Sequence, residues 1–379
     1  MDNPTNWSGV YQSGYHKCTS TNEIFFRYLG TFIFFIGIIS TLLSIAVFTR
    51  KPLRRKSCCF YFLILAISDS IHLTTMTIEH LPYAFQVDLV IIHSIICKLI
   101  IFLIYFSNHL SNIILTLASI DRFLLIYYPS RSRNFCNIQK AKWLTTIVII
   151  VVFFSSGHIL YGYERVLVFK QDAFELYDCT IPSNNALYSQ FFLFYDSYIE
   201  SICFVSIPFI VMSICSVLII YQILISRRNV RSNSRIKQSR LRDKDVQLSC
   251  MLIGTSFAFL FLCLPAEIND TFNYLIYESS CPYWLRKVVL ISLQQIYYAG
   301  HFYIYTLTGQ IFRRHLYAFL FLRRRSSALS KQDFPTEHRP SVYSDTNRLR
   351  TSEIEMSSRP FPDDSSSRSR SDCRLIVQL

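Results

Sequence analysis

Long apolar runs recur along most of this 379-residue chain. Each is close to the ~20 residues that an α-helix needs to cross the hydrocarbon core of a bilayer. They fall at residues 31–47, 60–81, 95–126, 144–160, 199–225, 248–264 and 288–307. Hydrophobic residues make up 51% of the sequence and charged residues 17%, which is too apolar for an ordinary soluble domain. The pattern predicts an all-α membrane protein built as a bundle of seven transmembrane helices.

Basic residues mark one side of the predicted membrane. Clusters of Arg and Lys follow the first, third, fifth and seventh runs, at residues 50–56, 131–142, 227–244 and 313–325. The alternate loops hold fewer bases and several acids. Because positive charge stays on the cytoplasmic side, we expect a multi-pass plasma-membrane protein with an extracellular N-terminus. This bias, together with attraction to anionic membrane lipid, accounts for the net charge of +13 without a nucleic-acid partner.

Composition divides the chain into three predicted parts. Residues 1–27 form a short extracellular N-terminus, and residues 28–322 form the membrane domain. Residues 323–379 are rich in Ser, Arg, Asp and Pro. Such a segment cannot bury enough apolar surface to fold alone, so the sequence predicts a disordered cytoplasmic tail.

The third apolar run carries a thiol at one end and a charged motif at the other. Arg122 lies in the sequence Asp121-Arg122-Phe123, which Pro129 follows, and Cys97 lies twenty-five positions upstream of Arg122. A helix over this distance is roughly 37 Å long, enough to cross a core of about 30 Å. The run resembles the third helix of rhodopsin-like (class A) G-protein-coupled receptors, which carries an Asp-Arg-Tyr motif. Phe123 replaces the Tyr.

Helices two and seven extend the resemblance and also depart from it. Asp69 ends a Leu-Ala-Ile-Ser-Asp sequence, and Ser111 precedes Arg122 by eleven residues. In the family, an Asp and a Ser at these positions surround a sodium ion. The family's Asn-Pro-x-x-Tyr motif is replaced by His-Phe-Tyr-Ile-Tyr, from His301 to Tyr305. Two interpretations of Asp69 therefore stay open: a sodium site, and a hydrogen-bond centre without an ion or any other metal.

The resemblance also implies a conformational switch. Pro208 and Pro265 lie deep in the fifth and sixth runs, where each is expected to kink its helix and provide a hinge. Asp245 precedes Pro265 by twenty residues, a position from which many family members pair an acid with the Arg of helix three. The alternative is that Asp245 is solvated and is favoured at the start of its helix by the helix dipole, without pairing with that Arg. A short amphipathic eighth helix is expected to begin near Phe312.

Four cysteines fall on the predicted extracellular side. The resemblance implies a disulfide between Cys97 and Cys179, and a second one between Cys18 and Cys281 is also compatible with this oxidising side. Asn6 begins an Asn-Trp-Ser sequon in the N-terminal segment and predicts glycosylation there.

The outer halves of the helices suggest a ligand class. Ile104 stands where monoamine receptors carry an Asp, and Gln295 stands where opsins carry the retinal Lys, so neither ligand is expected. Several acids lie in the parts of the helices that are predicted to be within the outer half of the membrane. A carboxylate there is costly unless it is paired or hydrated, and such acids suit a basic amidated peptide as ligand. The alternative is that these acids pair within the protein, with His80, Arg286 or Lys287. The candidate ligand-binding residues are Glu79, Tyr105, Asp196, Glu200, Glu267, Asp270 and Gln295.

Together these features indicate a receptor that needs no cofactor and is not an enzyme. The resemblance implies an extracellular ligand, a heterotrimeric G protein, and arrestin and receptor kinases acting through the tail. The sequence leading from Phe48 to Asp69 is also similar to that of invertebrate neuropeptide (FMRFamide-receptor-like) receptors. A divergent or constitutively active receptor with a non-peptide ligand stays open. A transporter is disfavoured because the sequence lacks inverted repeats.

Overall fold

The computed structural model describes residues 25–85, 89–90, 92–129, 132, 136–171, 174–230, 236–269 and 281–320. The predictions for Asn6, Cys18, Asp270 and the tail at 323–379 lie outside these residues. At Asp245 and Cys281 the backbone is described but the side chain is not. The predicted ion pair of Asp245 and the predicted second disulfide therefore stay predictions.

Eight principal helices follow one another along the described residues, and we number them in chain order. A π-helical turn, Phe25–Gly30, leads into the first, and short helices Lys51–Arg54 and Ile159–Gly162 follow the first and the fourth. The eight principal helices are α1 (Thr31–Phe48), α2 (Ser57–Phe85), α3 (Ser94–Tyr127), α4 (Ile138–Ser156), α5 (Ala186–Phe194, then the π-helical stretch Tyr195–Ser206 and Ile207–Val230), α6 (Ile236–Ala258, then the π-helical stretch Phe259–Cys263, continuing to residue 269), α7 (Cys281–Thr308) and α8 (Gln310–Leu320).

Six of the described helices, α1 to α6, are long and apolar enough to cross a membrane. The seventh predicted span, α7, has 28 residues, or about 42 Å of helix, so length is not what sets it apart. It carries buried polar side chains instead, among them Ser292, Gln294, Gln295 and His301. Polar residues inside a membrane bundle need partners on neighbouring helices, so the inner face of α7 is where function is expected.

Helix α3 lies at the centre of the bundle. It packs against α2, α4, α5 and α6. Its middle is polar, yet Ser107, Asn108, His109, Ser111 and Asn112 are all buried. Buried polar groups that lack a hydrogen bond are costly, so these side chains must find partners on the surrounding helices. The candidate site is built from those partners.

A β-hairpin covers the Cys97 end of α3. Strands β1 (Glu164–Gln171) and β2 (Phe174–Thr180) pair antiparallel, with Arg165 opposite Cys179. Cys179 forms a disulfide with Cys97, with a Cα–Cα distance of 5.6 Å, which confirms the predicted bridge. Lys98 Nζ adds an ion pair to Glu164 Oε1 at 3.1 Å. The hairpin is therefore tied to α3 at two consecutive positions, 97 and 98.

An aromatic cluster holds α8 to the opposite end of the bundle. The Tyr305 ring of α7 lies 4.9 Å from that of Phe62 on α2 and 5.8 Å from that of Phe312 on α8, between ring centroids. Phe48 of α1 contacts the Phe312 ring at 5.2 Å. All four side chains are buried. The Tyr that the family motif retains is thus a packing centre for four helices.

Arg313 of α8 caps the C-terminal end of α7. Its Nη1 donates hydrogen bonds to the carbonyl oxygens of Thr306 and Leu307, each at 2.8 Å. Carbonyls in the last turn of a helix lack intrahelical partners, and the dipole there favours a cation. We expect Arg313→Ala to lower the free energy of unfolding by about 1 kcal/mol, measured by thermal unfolding of the purified receptor. Arg313→Lys keeps the charge and should lose less; equal unfolding temperatures for the Ala variant and the wild type would refute the cap.

Candidate functional site

Two acids of α5 face the same side of α3. The Tyr105 hydroxyl donates to Asp196 Oδ1 at 3.0 Å, and His109 Nε2 lies 3.2 Å from Glu200 Oε1. The acids are four residues apart on α5, and their partners are four residues apart on α3. The sequence therefore correctly placed Asp196 and Glu200 on one face, which looks toward the centre of the bundle.

Glu200 takes part in a buried network across three helices. Its partner His109 also lies 3.1 Å, through Nδ1, from Ser156 Oγ on α4. The imidazole stacks on the Phe204 ring at 4.0 Å with 17° between the planes. The alternative of internal pairing named His80, Arg286 and Lys287, whereas the partner seen for Glu200 is His109. Sequence reasoning missed His109, although its position four residues after Tyr105 matched the spacing of the α5 acids.

Glu267 connects α6 to α3 and α7. Its Oε1 accepts hydrogen bonds from Gln294 Nε2 at 2.9 Å and from Asn108 Nδ2 at 3.3 Å. Tyr298 holds Asn108 in place by donating to Asn108 Oδ1 at 2.6 Å. Both amides orient the carboxylate by donating to the same oxygen. We call Asp196, Glu200 and Glu267 the outer acid cluster, since all three contact the Cys97 half of α3, which is predicted to be the extracellular half.

The other predicted ligand residues are less central. Glu79 is half-buried on α2, and Gln295 is buried on α7. Gln294, its neighbour, is the one that reaches Glu267, and sequence reasoning did not single it out. Gln295 was chosen because it matches the position of the opsin Lys, and the adjacent Gln294 points about 100° away from it around the helix.

The middle of the bundle holds a second polar centre. Asp69 is fully buried on α2, and its Oδ1 accepts a hydrogen bond from Ser111 Oγ at 2.9 Å. Its Oδ2 lies 2.7 Å from His301 Nδ1 on α7. The two residues that the family arranges around a sodium ion are thus in direct contact with each other. The partner from α7 is the His that replaces the family's Asn.

At the predicted cytoplasmic end of α3, Arg122 is held by its neighbour. Arg122 Nη2 and Nε donate to Asp121 Oδ2 at 2.7 and 3.2 Å, and both side chains are buried. Ser57 Oγ at the start of α2 donates to the same oxygen at 3.0 Å. Asp121 therefore restrains Arg122, and Ser57 fixes the carboxylate that does so. Nothing in the sequence pattern singled out Ser57.

Cys136 braces this end of α3 from the following loop. Its Sγ donates to the Asp121 carbonyl oxygen at 3.4 Å. Burial raises the pKa of the Cys136 thiol to about 12, so it stays protonated and remains a donor at neutral pH. The neighbouring Phe123 packs on the Tyr127 ring at 4.7 Å, while Pro129 is exposed. Tyr127 reaches α5 by donating to the Leu218 carbonyl oxygen at 3.3 Å.

The two predicted hinge prolines lie beside widened helical turns. Pro208 comes two residues after the π-helical stretch of α5, and Pro265 comes two residues after that of α6. Proline cannot donate to the preceding turn, and its ring clashes with a carbonyl there. A π-helical turn moves that carbonyl away, and such turns are frequent at functional sites. Asn112 supports the α5 stretch by donating to the Phe204 carbonyl oxygen at 3.2 Å.

Comparison with known proteins agrees with this arrangement. A family model described as "7 transmembrane receptor (rhodopsin family)" matches residues 40–300. Proteinase-activated receptor 1 of Cricetulus longicaudatus is 22% identical over 88% of this chain and 72% of its own length. Human cysteinyl leukotriene receptor 2 is 25% identical over 73% of this chain and 76% of its own. Lysophosphatidic acid receptor 6 of Gallus gallus is 29% identical over 36% of this chain and 44% of its own.

By their names all three of these relatives are receptors. The family model alone covers more than half of the chain. With the central α3, the bridge from Cys97 to Cys179 and the restrained Arg122, this match decides the identity. The chain belongs to the rhodopsin family of seven-transmembrane receptors, and it is a receptor of the membrane.

Proposed function

We propose that this receptor binds a basic, amidated peptide on the extracellular side of the plasma membrane and activates a heterotrimeric G protein. The observation that carries the proposal is the outer acid cluster, three carboxylates gathered around the outer half of α3. Guanidinium groups form strong charge-assisted bonds with carboxylates. The names of the relatives mention a proteinase, a leukotriene and a lysophospholipid. Because these names point to three different kinds of ligand, we base the proposed ligand class on the acids of this chain and not on the relatives.

Within the cluster, Glu267 is the residue best suited to bind the ligand's cation. Glu200 already faces the basic side chain of His109. Glu267 is half-buried, and the amides of Gln294 and Asn108 orient its carboxylate. It also lies on α6, two residues after Pro265, so a cation held there acts directly on the hinge. A ligand can shift the equilibrium between two states only through its different affinity for them.

The cytoplasmic half of the mechanism follows from Arg122. In the resting state Asp121 holds its guanidinium, and the outward movement of α6 would free it to contact the Gα subunit. Asp245, near the start of α6, is proposed as a second resting-state partner on the grounds of its position alone. The Ser-rich tail at 323–379 is proposed as the substrate of receptor kinases and a binding site for arrestin.

The test is a ligand panel on cells that express the receptor with a promiscuous Gα subunit. Arg-containing amidated peptides, monoamines, nucleotides and lysophospholipids are applied, and calcium release is recorded. The proposal expects a submicromolar response to a basic peptide. A response to a lysophospholipid alone would overturn the peptide proposal and favour a non-peptide receptor, which the name of lysophosphatidic acid receptor 6 makes the second candidate.

Glu267→Gln is expected to reduce the potency of the active peptide about tenfold, which corresponds to ~1.4 kcal/mol for one charge-assisted interaction. The substitution preserves the shape of the side chain and removes its charge. Glu164→Gln is the matched control, because Glu164 lies in the hairpin and pairs with Lys98 instead. Equal potency shifts in the two variants, at equal surface expression, would show that Glu267 has no special role.

A further inference from the structure

We propose that His301 is the built-in counter-ion of Asp69, so that this carboxylate binds no sodium ion and the receptor's stability does not depend on sodium. The inference concerns the middle of the bundle and is independent of the ligand proposed above. It rests on the contacts of Asp69 with Ser111 and His301 and on those of His301 with Tyr297 and Tyr305.

A carboxylate at the depth of Asp69 needs a compensating charge. Its side chain is fully buried, and an isolated ion in such surroundings is strongly disfavoured. His301 brings an imidazole, which can carry a positive charge, to 2.7 Å from Oδ2. That distance is typical of charge-assisted hydrogen bonds. The compensating charge is therefore available from the protein itself.

Both oxygens of Asp69 are already engaged. Oδ2 faces His301 Nδ1, and Oδ1 accepts from Ser111 Oγ at 2.9 Å. A dissolved cation would share these same two oxygens, and it would be placed beside the imidazole. Like charges in a buried site repel strongly. The contacts that hold Asp69 thus compete directly with ion binding.

Two tyrosines hold the imidazole in position. Tyr305 lies parallel to it, with 9° between the planes and 6.0 Å between centroids, and Tyr297 meets it edge-on at 4.6 Å. Aromatic faces favour a neighbouring cation. His301 Nε2 and both tyrosine hydroxyls are buried and have no hydrogen-bond partner among the described residues. The unpaired Nε2 is a cost that the contact with Asp69 has to offset.

The consequence is a permanent connection between three helices. The contact of Asp69 with Ser111 and His301 joins α2, α3 and α7, and it needs no dissolved ion to form. If a sodium ion supplied the compensating charge instead, the connection would weaken as the sodium concentration falls. Here it depends on the identity of residue 301.

The experiment compares purified full-length receptor in sodium chloride and in N-methyl-D-glucamine chloride, each at roughly 150 mM, without ligand. Thermal unfolding of the wild type is expected to occur at the same temperature in both salts. His301→Asn removes the imidazole and leaves the carboxylate, so sodium should now raise the unfolding temperature by about 3 °C, as expected when an ion binds only the folded state. Adding Asp69→Asn to that variant should abolish the effect.

A sodium-dependent unfolding temperature in the wild type would overturn the proposal by itself, even if the variants fail to fold. A His301→Asn receptor that folds and stays insensitive to sodium would also contradict it, because the imidazole would then not be what excludes the ion. Neither result bears on the peptide proposal, since no ligand is present.

Discussion

Asp121→Asn is expected to raise ligand-independent nucleotide exchange about 30-fold. The carboxylate accepts two hydrogen bonds from Arg122 and one from Ser57, and the pair is buried. Removing one member of a buried ion pair leaves the other charge uncompensated, which costs about 3–5 kcal/mol in a protein interior. At the water-facing end of a helix, and with an amide oxygen still present, we expect ~2 kcal/mol. This loss falls on the resting state, so it shifts the equilibrium toward the active one.

Exchange of GTP on Gα in membranes from expressing cells measures this shift. Asp121→Glu is the matched control, because it keeps the charge and should stay within a fewfold of the wild type. Ser57→Ala should show a smaller rise, since it removes only the hydroxyl that positions the carboxylate. An Asp121→Asn receptor with wild-type basal exchange at equal surface density would refute the restraint on Arg122.

Gly162→Ala is expected to lower the free energy of unfolding by about 3 kcal/mol. A Cβ atom at Gly162 would overlap the ring of Tyr188, which is buried near the start of α5. The ring cannot move aside freely. Its hydroxyl lies 2.9 Å from His158 Nδ1, and its edge packs beside Tyr161. For a chain of 379 residues the loss corresponds to an unfolding temperature lower by roughly 4 °C.

Gly300→Ala provides a control of opposite sign. Gly300 lies within α7, and a Cβ there would meet no atom within 4 Å. Replacing a helical Gly by Ala stabilises a helix by about 0.5–1 kcal/mol, so this variant should unfold at the same or a higher temperature. If Gly162→Ala and Gly300→Ala unfolded at the same temperature in a thermal assay in detergent, the close packing of Tyr188 against Gly162 would be disproved.

The sequence predicted the framework of this receptor well because the membrane leaves few alternatives. Apolar runs of spanning length must be helices there, and their order and loop charges fix the topology. The bridge from Cys97 to Cys179 followed from the resemblance, and the structure confirms it. The pairing of Arg122 with Asp121 is local in sequence and could be predicted for the same reason.

Long-range polar pairs were the part that the sequence could not specify. His301 was recognised as a replacement, but its contact with Asp69 spans 232 positions and depends on how α2 and α7 are rotated. His109 and Gln294 were missed for the same reason, because a rotation of one residue decides which side chain faces Glu200 or Glu267. The π-helical stretches of α5 and α6 add such a rotation, and apolar periodicity does not reveal them.

Nucleotide exchange on purified G-protein heterotrimers tests the central claim most directly. The wild type, Asp121→Asn and the double variant Asp121→Asn/Arg122→Ala are reconstituted in lipid discs with each class of Gα. We expect Asp121→Asn to accelerate exchange on at least one heterotrimer above the wild-type rate, and the double variant to lose that acceleration. If no heterotrimer responds to the wild type or to Asp121→Asn, although both unfold cooperatively, then α3 does not carry a signal from this receptor to a G protein.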